Sequence, residues 1–212
     1  MKISSFQEAL FQGATEIGVQ LSESQIHQFF DYYNLLTFWN RSINLTAISG
    51  EMGVIEKHFL DSLLYSKLFP ENFLELKFLD IGSGAGFPGL PLKIAFPDLN
   101  VLLMEPSFKR TSFLHAVNSK LQLHVKIVES KAEDWLKNNS FTFDIMTLRA
   151  VGRLEHFLET LLPYLNPSGK IIVSGQPEMV KLTRKMNAVT QLTIEPIPFK
   201  NHFRSFILIT KQ

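Results

Sequence analysis

The segment Asp80-Ile81-Gly82-Ser83-Gly84-Ala85-Gly86-Phe87-Pro88-Gly89 constrains this chain more than any other stretch. It follows a short apolar run, Phe78–Ile81, and precedes an amphipathic stretch near Leu90–Phe96. Strand, glycine turn and helix in that order open an α/β sheet that takes a nucleotide at the strand's carboxyl end. Glycines let the chain turn sharply and let a ligand touch the backbone. A dinucleotide site requires Gly-x-Gly-x-x-Gly, but here the third step lands on Phe87. The spacing is Gly-x-Gly-x-Gly with Asp80 two residues before the first glycine, a form that suits S-adenosylmethionine better than NAD. No Lys-Ser or Lys-Thr follows, which excludes a P-loop. A purely structural turn is the other reading of the same residues.

The surrounding pattern supports a Rossmann-like class I α/β fold with a mostly parallel, seven-stranded sheet. Short apolar runs predict strands near Phe78–Ile81, Val101–Met104, Val125–Val128, Asp144–Leu148 and Lys170–Ser174. Helices are expected near Leu90–Phe96, Lys109–Ser119, Lys131–Lys137, Leu154–Leu165 and Glu178–Met186. That βα alternation requires a parallel sheet covered on both faces. Two last strands, near Thr193–Pro196 and Phe206–Thr210, have no helix between them and should pair antiparallel. Residues 1–70 read instead as a helical extension packed on the 71–212 core. Ser5 with Glu8 and Ser22 with Gln25 have capping-box spacing, and Ile26, Phe29, Phe30, Tyr33, Leu36 and Trp39 recur at helical spacing. A third helix is expected from about Glu51 to Leu68, ended by Pro70.

Several side chains fall at the ligand-facing strand ends. Glu105, 23 residues after Gly82, can accept hydrogen bonds from both ribose hydroxyls; its other reading is a surface acid. Ala132-Glu133-Asp134 follows the third strand, where a backbone N–H and a carboxylate can read adenine, or where acids simply suit a helix start. Arg149 can meet a cofactor carboxylate, a phosphate or a base edge, or be a plain surface residue. His58 and Asp61 lie three apart on a helix and read as structural, at most on the pocket rim.

Composition removes other chemistries. There is no Cys, so disulfides, Cys zinc sites and Cys nucleophiles are out, including the covalent route to pyrimidine C5. His-Glu-x-x-His spacing is absent, and no metal is expected. The amino terminus has no apolar signal core and no stretch approaches 18 apolar residues, so the expected place is the cytoplasm. Nothing demands more than a monomer. Residues 1–106 hold 6 Lys+Arg against 12 Asp+Glu, whereas 107–212 hold 15 against 8. A basic half suggests a polyanion partner, and scattered solvated lysines explain it as well.

Four segments together resemble the bacterial 16S ribosomal RNA (guanine-N7) methyltransferases, also called glucose-inhibited division protein B. They are Trp39-Asn40-Arg41 with Asn44-Leu45-Thr46, Lys57-His58-Phe59-Leu60-Asp61-Ser62, the loop from Asp80 through Leu92, and Lys109-Arg110 with Phe113-Leu114. The resemblance spans most of the chain. It implies methyl transfer from S-adenosylmethionine to N7 of a guanine in the decoding-region loop of 16S RNA, free or in the small subunit. It implies cofactor contacts at Gly82, Phe87, Ala132, Glu133 and Arg149, to which the loop geometry adds Gly84 and Glu105. RNA contacts are expected at Lys109, Arg110, Arg153 and Arg204. The family usually has Lys where this chain has Ser174, and Arg-His where it has Arg204-Ser205. A small-molecule methyltransferase, or a non-catalytic RNA-binding protein that keeps the fold, are the competing functions.

Overall fold

A computed structural model describes residues 5–71, 73, 75–149, 154–174, 190–199 and 202–211. The predicted helix Glu178–Met186 and the candidate Arg153 lie outside the described residues. Seven strands form one sheet: β1 (Lys77–Ile81), β2 (Asn100–Met104), β3 (Lys126–Val128), β4 (Phe143–Arg149), β5 (Leu165–Ser174), β6 (Thr190–Phe199) and β7 (His202–Lys211). Their order is β3-β2-β1-β4-β5-β7-β6, parallel through β5, with β7 antiparallel to β5 and β6 antiparallel to β7. The last two strands are longer than the apolar runs suggested, because ladder hydrogen bonds continue past the apolar residues.

Helices α1 (Ser5–Ile17) and α2 (Glu23–Asn40) open the chain. Ser22 caps α2: its hydroxyl accepts from the Gln25 N–H while the Gln25 side chain accepts from the Ser22 N–H, the reciprocal capping box. In α1, Glu8 accepts from Gln12 on the next turn. The third helical run is not uniform. It is α-helical at Glu51–Val54 (α3), π-helical at Ile55–Leu60, α-helical again at Asp61–Leu63 (α4) and 3-10 at Leu64–Leu68. Phe69, before Pro70, is extended, as a residue preceding proline prefers. The remaining helices are α5 (Gly89–Ala95), α6 (Phe108–Leu121), α7 (Ala132–Lys137) and α8 (Leu154–Leu161).

Side-chain alternation splits the sheet between two cores. Phe78, Val101, Leu103, Ile145, Ile172, Phe206 and Leu208 face one side, in one apolar cluster with Phe6, Leu10, Phe29, Tyr32, Leu36, Phe59 and Leu63. Leu79, Leu102, Met104, Met146, Leu148, Ile171 and Val173 face the other, against Leu136 of α7 and Leu158 and Leu161 of α8. The amino-terminal helices therefore share their core with the sheet. Gln25 ties the two further, donating to the carbonyls of Ile94 and Ala95 at 2.8 and 2.9 Å.

Candidate functional site

Strand order reverses between β1 and β4, since β2 and β3 lie to one side of β1 and β5 to the other side of β4. The crevice beyond the carboxyl ends of such a pair is where open α/β sheets bind ligands. A cleft of about 610 Å³ lies there, within the range of small-molecule sites. It is lined by Gly82, Glu105, Arg110, Ala132, Glu133 and Arg149, among others. Thus six of the sequence-predicted residues meet in one place although they come from the carboxyl-terminal sides of four different strands.

The glycine loop is held from three sides. Gly82, Gly84 and Gly86 all have positive φ (68°, 59° and 96°), the left-handed region that favours glycine. From below, Asp80 accepts from the Gly89 N–H (3.0 Å) and from the Thr147 hydroxyl (3.0 Å), linking β1 to the start of α5 and to β4. From the side, Glu105 is buried, and each carboxylate oxygen accepts a backbone N–H: Gly84 at 2.9 Å and Ser107 at 3.0 Å. Arg110 stands 3.7 Å from it. From behind, the Tyr32 hydroxyl donates to the Ala85 carbonyl, and its ring stacks on Phe87. Phe87 also lies flat on His58, ring centres 4.3 Å apart.

Two of the predicted contacts are narrowed in consequence. Phe87 is buried and its ring is occupied by Tyr32 and His58, so only its main chain is left for a ligand. Glu105 is no surface acid; it is stitched to the loop, and the second lone pair of each oxygen is what remains for ribose hydroxyls. Tyr32 was not among the predicted stripe, yet Phe29, Tyr32 and Leu36 are the fully buried face of α2 while Phe30 and Tyr33 are only partly covered. Its signal was the spacing from Phe29 and Leu36, three and four residues.

Arg149 ends β4 opposite Ser174 of β5, and Ser174 lies opposite Phe206 of β7. Its Nη2 donates to the Lys57 carbonyl at 2.8 Å and pairs with Asp61 at 3.2 Å. Arg204 pairs with the other oxygen of Asp61 at 2.7 Å and donates to the Ser174 hydroxyl at 2.7 Å. The residue that stands where the family usually has Lys therefore receives a cation instead of supplying one. Asp61 is buried between the two guanidiniums, a central place for a residue the sequence left as structural. Burial, then the Arg149 charge, lowers the His58 imidazole to about 4, so the ring is neutral at pH 7. Lys109 is exposed on α6, and Phe108 beside it is, among the described residues, the most exposed of the large apolar side chains.

Burial raises the Asp80 carboxyl from 3.8 to about 6; hydrogen bonds from Gly89 and Thr147 and the Arg149 charge only partly oppose it. A carboxyl whose native value is raised binds its proton more readily folded than unfolded. Its contribution to stability therefore falls as pH rises from about 4 through 6 and is level above that. Relative to Asp80→Asn, the unaltered chain should gain ~2 kcal/mol of unfolding free energy between pH 7 and pH 4, most of the full linkage of the shift. Urea unfolding of both proteins at the two pH values measures this, and parallel curves would refute the burial penalty at Asp80.

The site fits the cofactor on its own chemistry. Glu105 offers acceptors to hydroxyls, Gly82 leaves its side of the loop open, and the buried Arg149 Nη1 has no hydrogen-bond partner. Among the described residues no group of three or more His, Asp or Glu could hold a metal, and no helix is long and apolar enough to cross a membrane.

A family model described as rRNA small subunit methyltransferase G matches residues 25–202. Ribosomal RNA small subunit methyltransferase G of Streptococcus suis (strain 05ZYH33) is 39% identical over 198 residues, 89% of this chain and 82% of that protein. The protein of the same name from Acholeplasma laidlawii (strain PG-8A) is 38% identical over 204 residues, 92% of this chain and 88% of that one. Among solved structures, an O-methyltransferase from Bacillus cereus in complex with SAH superposes with a TM-score of 0.64 at 16% identity, covering 96% of this chain and 97% of that one. That likeness concerns the fold alone.

Proposed function

Because the chain belongs to the rRNA small subunit methyltransferase G family, we propose that it transfers a methyl group from S-adenosylmethionine to N7 of a guanine in the decoding-region loop of 16S ribosomal RNA. The observation that carries this reading is the cleft at the β1/β4 switch point, with Glu105 on one wall and Arg149 on the other. When bound, S-adenosylmethionine supplies a sulfonium methyl open to in-line attack. Guanine N7 is an exposed acceptor that carries no proton, so the transfer needs no general base. The protein's task is to bind, align and exclude water.

We assign the parts as follows. Main-chain groups of Gly82, Gly84 and Phe87 let the cofactor approach the loop. Glu105 accepts from the ribose hydroxyls, the Ala132 N–H and Glu133 carboxylate read adenine, and Arg149 binds the carboxylate. The RNA lies over Lys109, Arg110 and Arg204, with Phe108 as an exposed ring on which a base can stack. Arg153 remains a candidate for the same face on sequence grounds. Residues 1–70 act as a helical extension packed on the 71–212 methyl-transfer domain; the apolar cluster that the two share supports that packing. The setting we assign is the cytoplasm.

The test is to incubate the protein with methyl-labelled cofactor and small subunits that lack the modification, then map the label. We expect it at one guanine N7. Label on an exocyclic amine or a ribose oxygen, or none on the subunit, would refute the assignment.

A further inference from the structure

We infer that Asp61 is a positioning residue for the transfer: it clamps Arg149 and Arg204 in one shared carboxylate bridge, so that the cofactor-facing and RNA-facing cations are set against each other. The inference rests on the roles proposed above for those two arginines.

Three observations carry it. The first is the bridge itself, with Arg149 at 3.2 Å from one oxygen of a buried carboxylate and Arg204 at 2.7 Å from the other. Two guanidiniums share one carboxylate, and His58 beside them is neutral at pH 7. The bridge itself therefore keeps one positive charge in excess next to the cleft, partly offset by the Asp80 carboxylate whose charge Arg149 also meets. Stability alone does not call for such a design, since buried ion triads are often replaced by apolar residues without loss.

The second is the π-helical segment Ile55–Leu60, which ends at Asp61. The Asp61 N–H bonds to the carbonyls of Glu56 and His58, not to that of Lys57 four residues back. The Lys57 carbonyl, displaced from the α-helical ladder, accepts from Arg149 instead. One irregular turn thus supplies both partners of the same guanidinium. Such π segments inside helices recur at functional sites.

The third is where satisfaction fails. Among the described residues, the buried side-chain atoms without a hydrogen-bond partner are His58 Nδ1, Asp61 Oδ2, Tyr65 Oη, Arg149 Nη1 and Arg204 Nε. All five belong to this cluster. Ion pairs account for Asp61 and Arg204, and His58 faces the Lys57 backbone and the Thr46 hydroxyl, which leaves Arg149 Nη1 and the Tyr65 hydroxyl as unused polar capacity. Of these groups Arg149 alone lines the cleft, so its Nη1 is the one placed to complete its bonding on a ligand.

Asp61→Asn keeps the shape and removes the charge. We expect the folded variant to bind cofactor at least about fivefold more weakly and to methylate at least tenfold more slowly in single turnover. Its affinity for unmodified small subunits should be unchanged or tighter, because a negative charge has left a basic face. A purely structural Asp61 would lower all three together with the melting temperature. That joint loss, or a folded variant within twofold of the unaltered chain in both cofactor affinity and rate, overturns the inference. If Asp61→Asn does not fold, Asp61→Glu decides by the same criteria, since it keeps the charge and displaces the carboxylate by one methylene. Cofactor titration reads Asp61 without any RNA. Failure of the unaltered chain to label the subunit would therefore refute the methyl-transfer reading separately.

Discussion

Gly82→Val should cost at least ~100-fold in S-adenosylmethionine affinity while leaving a folded protein. A Cβ built at Gly82 meets no protein atom within 4 Å, although the residue lines the cleft. Its side chain would project into the space a ligand occupies. The backbone there has φ of +68°, so the protein also loses about 1–2 kcal/mol from the left-handed strain of any L side chain, somewhat more for a branched one. That strain lowers stability without unfolding a domain of ordinary stability. Gly86 and Gly89 supply the contrast. A Cβ at Gly86 falls 2.4 Å from Leu90 and 2.8 Å from the Tyr32 hydroxyl, and one at Gly89 falls 2.4 Å from Leu103. Substitution at either strikes the protein itself and should lower the melting temperature before it affects binding. Calorimetry on the Gly82→Val protein, with circular dichroism as the folding check, separates the cases. Near-normal affinity in a folded variant would move the cofactor away from this loop.

Much of this site was legible in the sequence because its signals are local. The glycine spacing demands positive φ, Glu105 and Arg149 end apolar runs, and Ala132 and Glu133 open a helix; each follows from a strand ending where an α/β sheet binds its ligand. The fold was legible for the same reason, since alternating periods of two and 3.6 are written residue by residue. Three residues were not legible in their roles. Tyr32 reads as one more aromatic in a helical stripe, and only the contact of α2 with the loop turns its hydroxyl toward Ala85. His58 and Asp61 sit three apart, as on any helix, but the π register alters which carbonyl is free and how Asp61 meets β4 and β7. No periodicity in a single sequence encodes that shift. The ring faces and carboxylate partners are tertiary facts, set by segments well separated in the chain, by 92 residues in the Lys57–Arg149 bond.

Arg149→Ala should slow single-turnover methylation by ~100-fold or more, and the slowed rate should still show no pH limb above about pH 7. The first half follows from position. Arg149 is anchored by Lys57 and Asp61, lines the cleft, and has a donor to spare; a displacement of an ångström between reacting groups costs about that much rate. The second half follows from the chemistry of the acceptor, because N7 has a lone pair and no proton to lose. The titratable groups near the loop agree. His58 has its last pH-dependent change at about 4, and Asp80 at about 6 with both carboxylate oxygens occupied by Gly89 and Thr147. Any fall in rate near pH 6 would come from Asp80 beneath the loop and should vanish in Asp80→Asn, which has no carboxyl to titrate, without abolishing transfer. The rate should then stay level until guanine N1 ionises. An obligatory base would behave otherwise: a titration limb above pH 7 in the unaltered chain, removed by mutating one carboxylate or imidazole, would mean that the methylated atom carries a proton and is not N7.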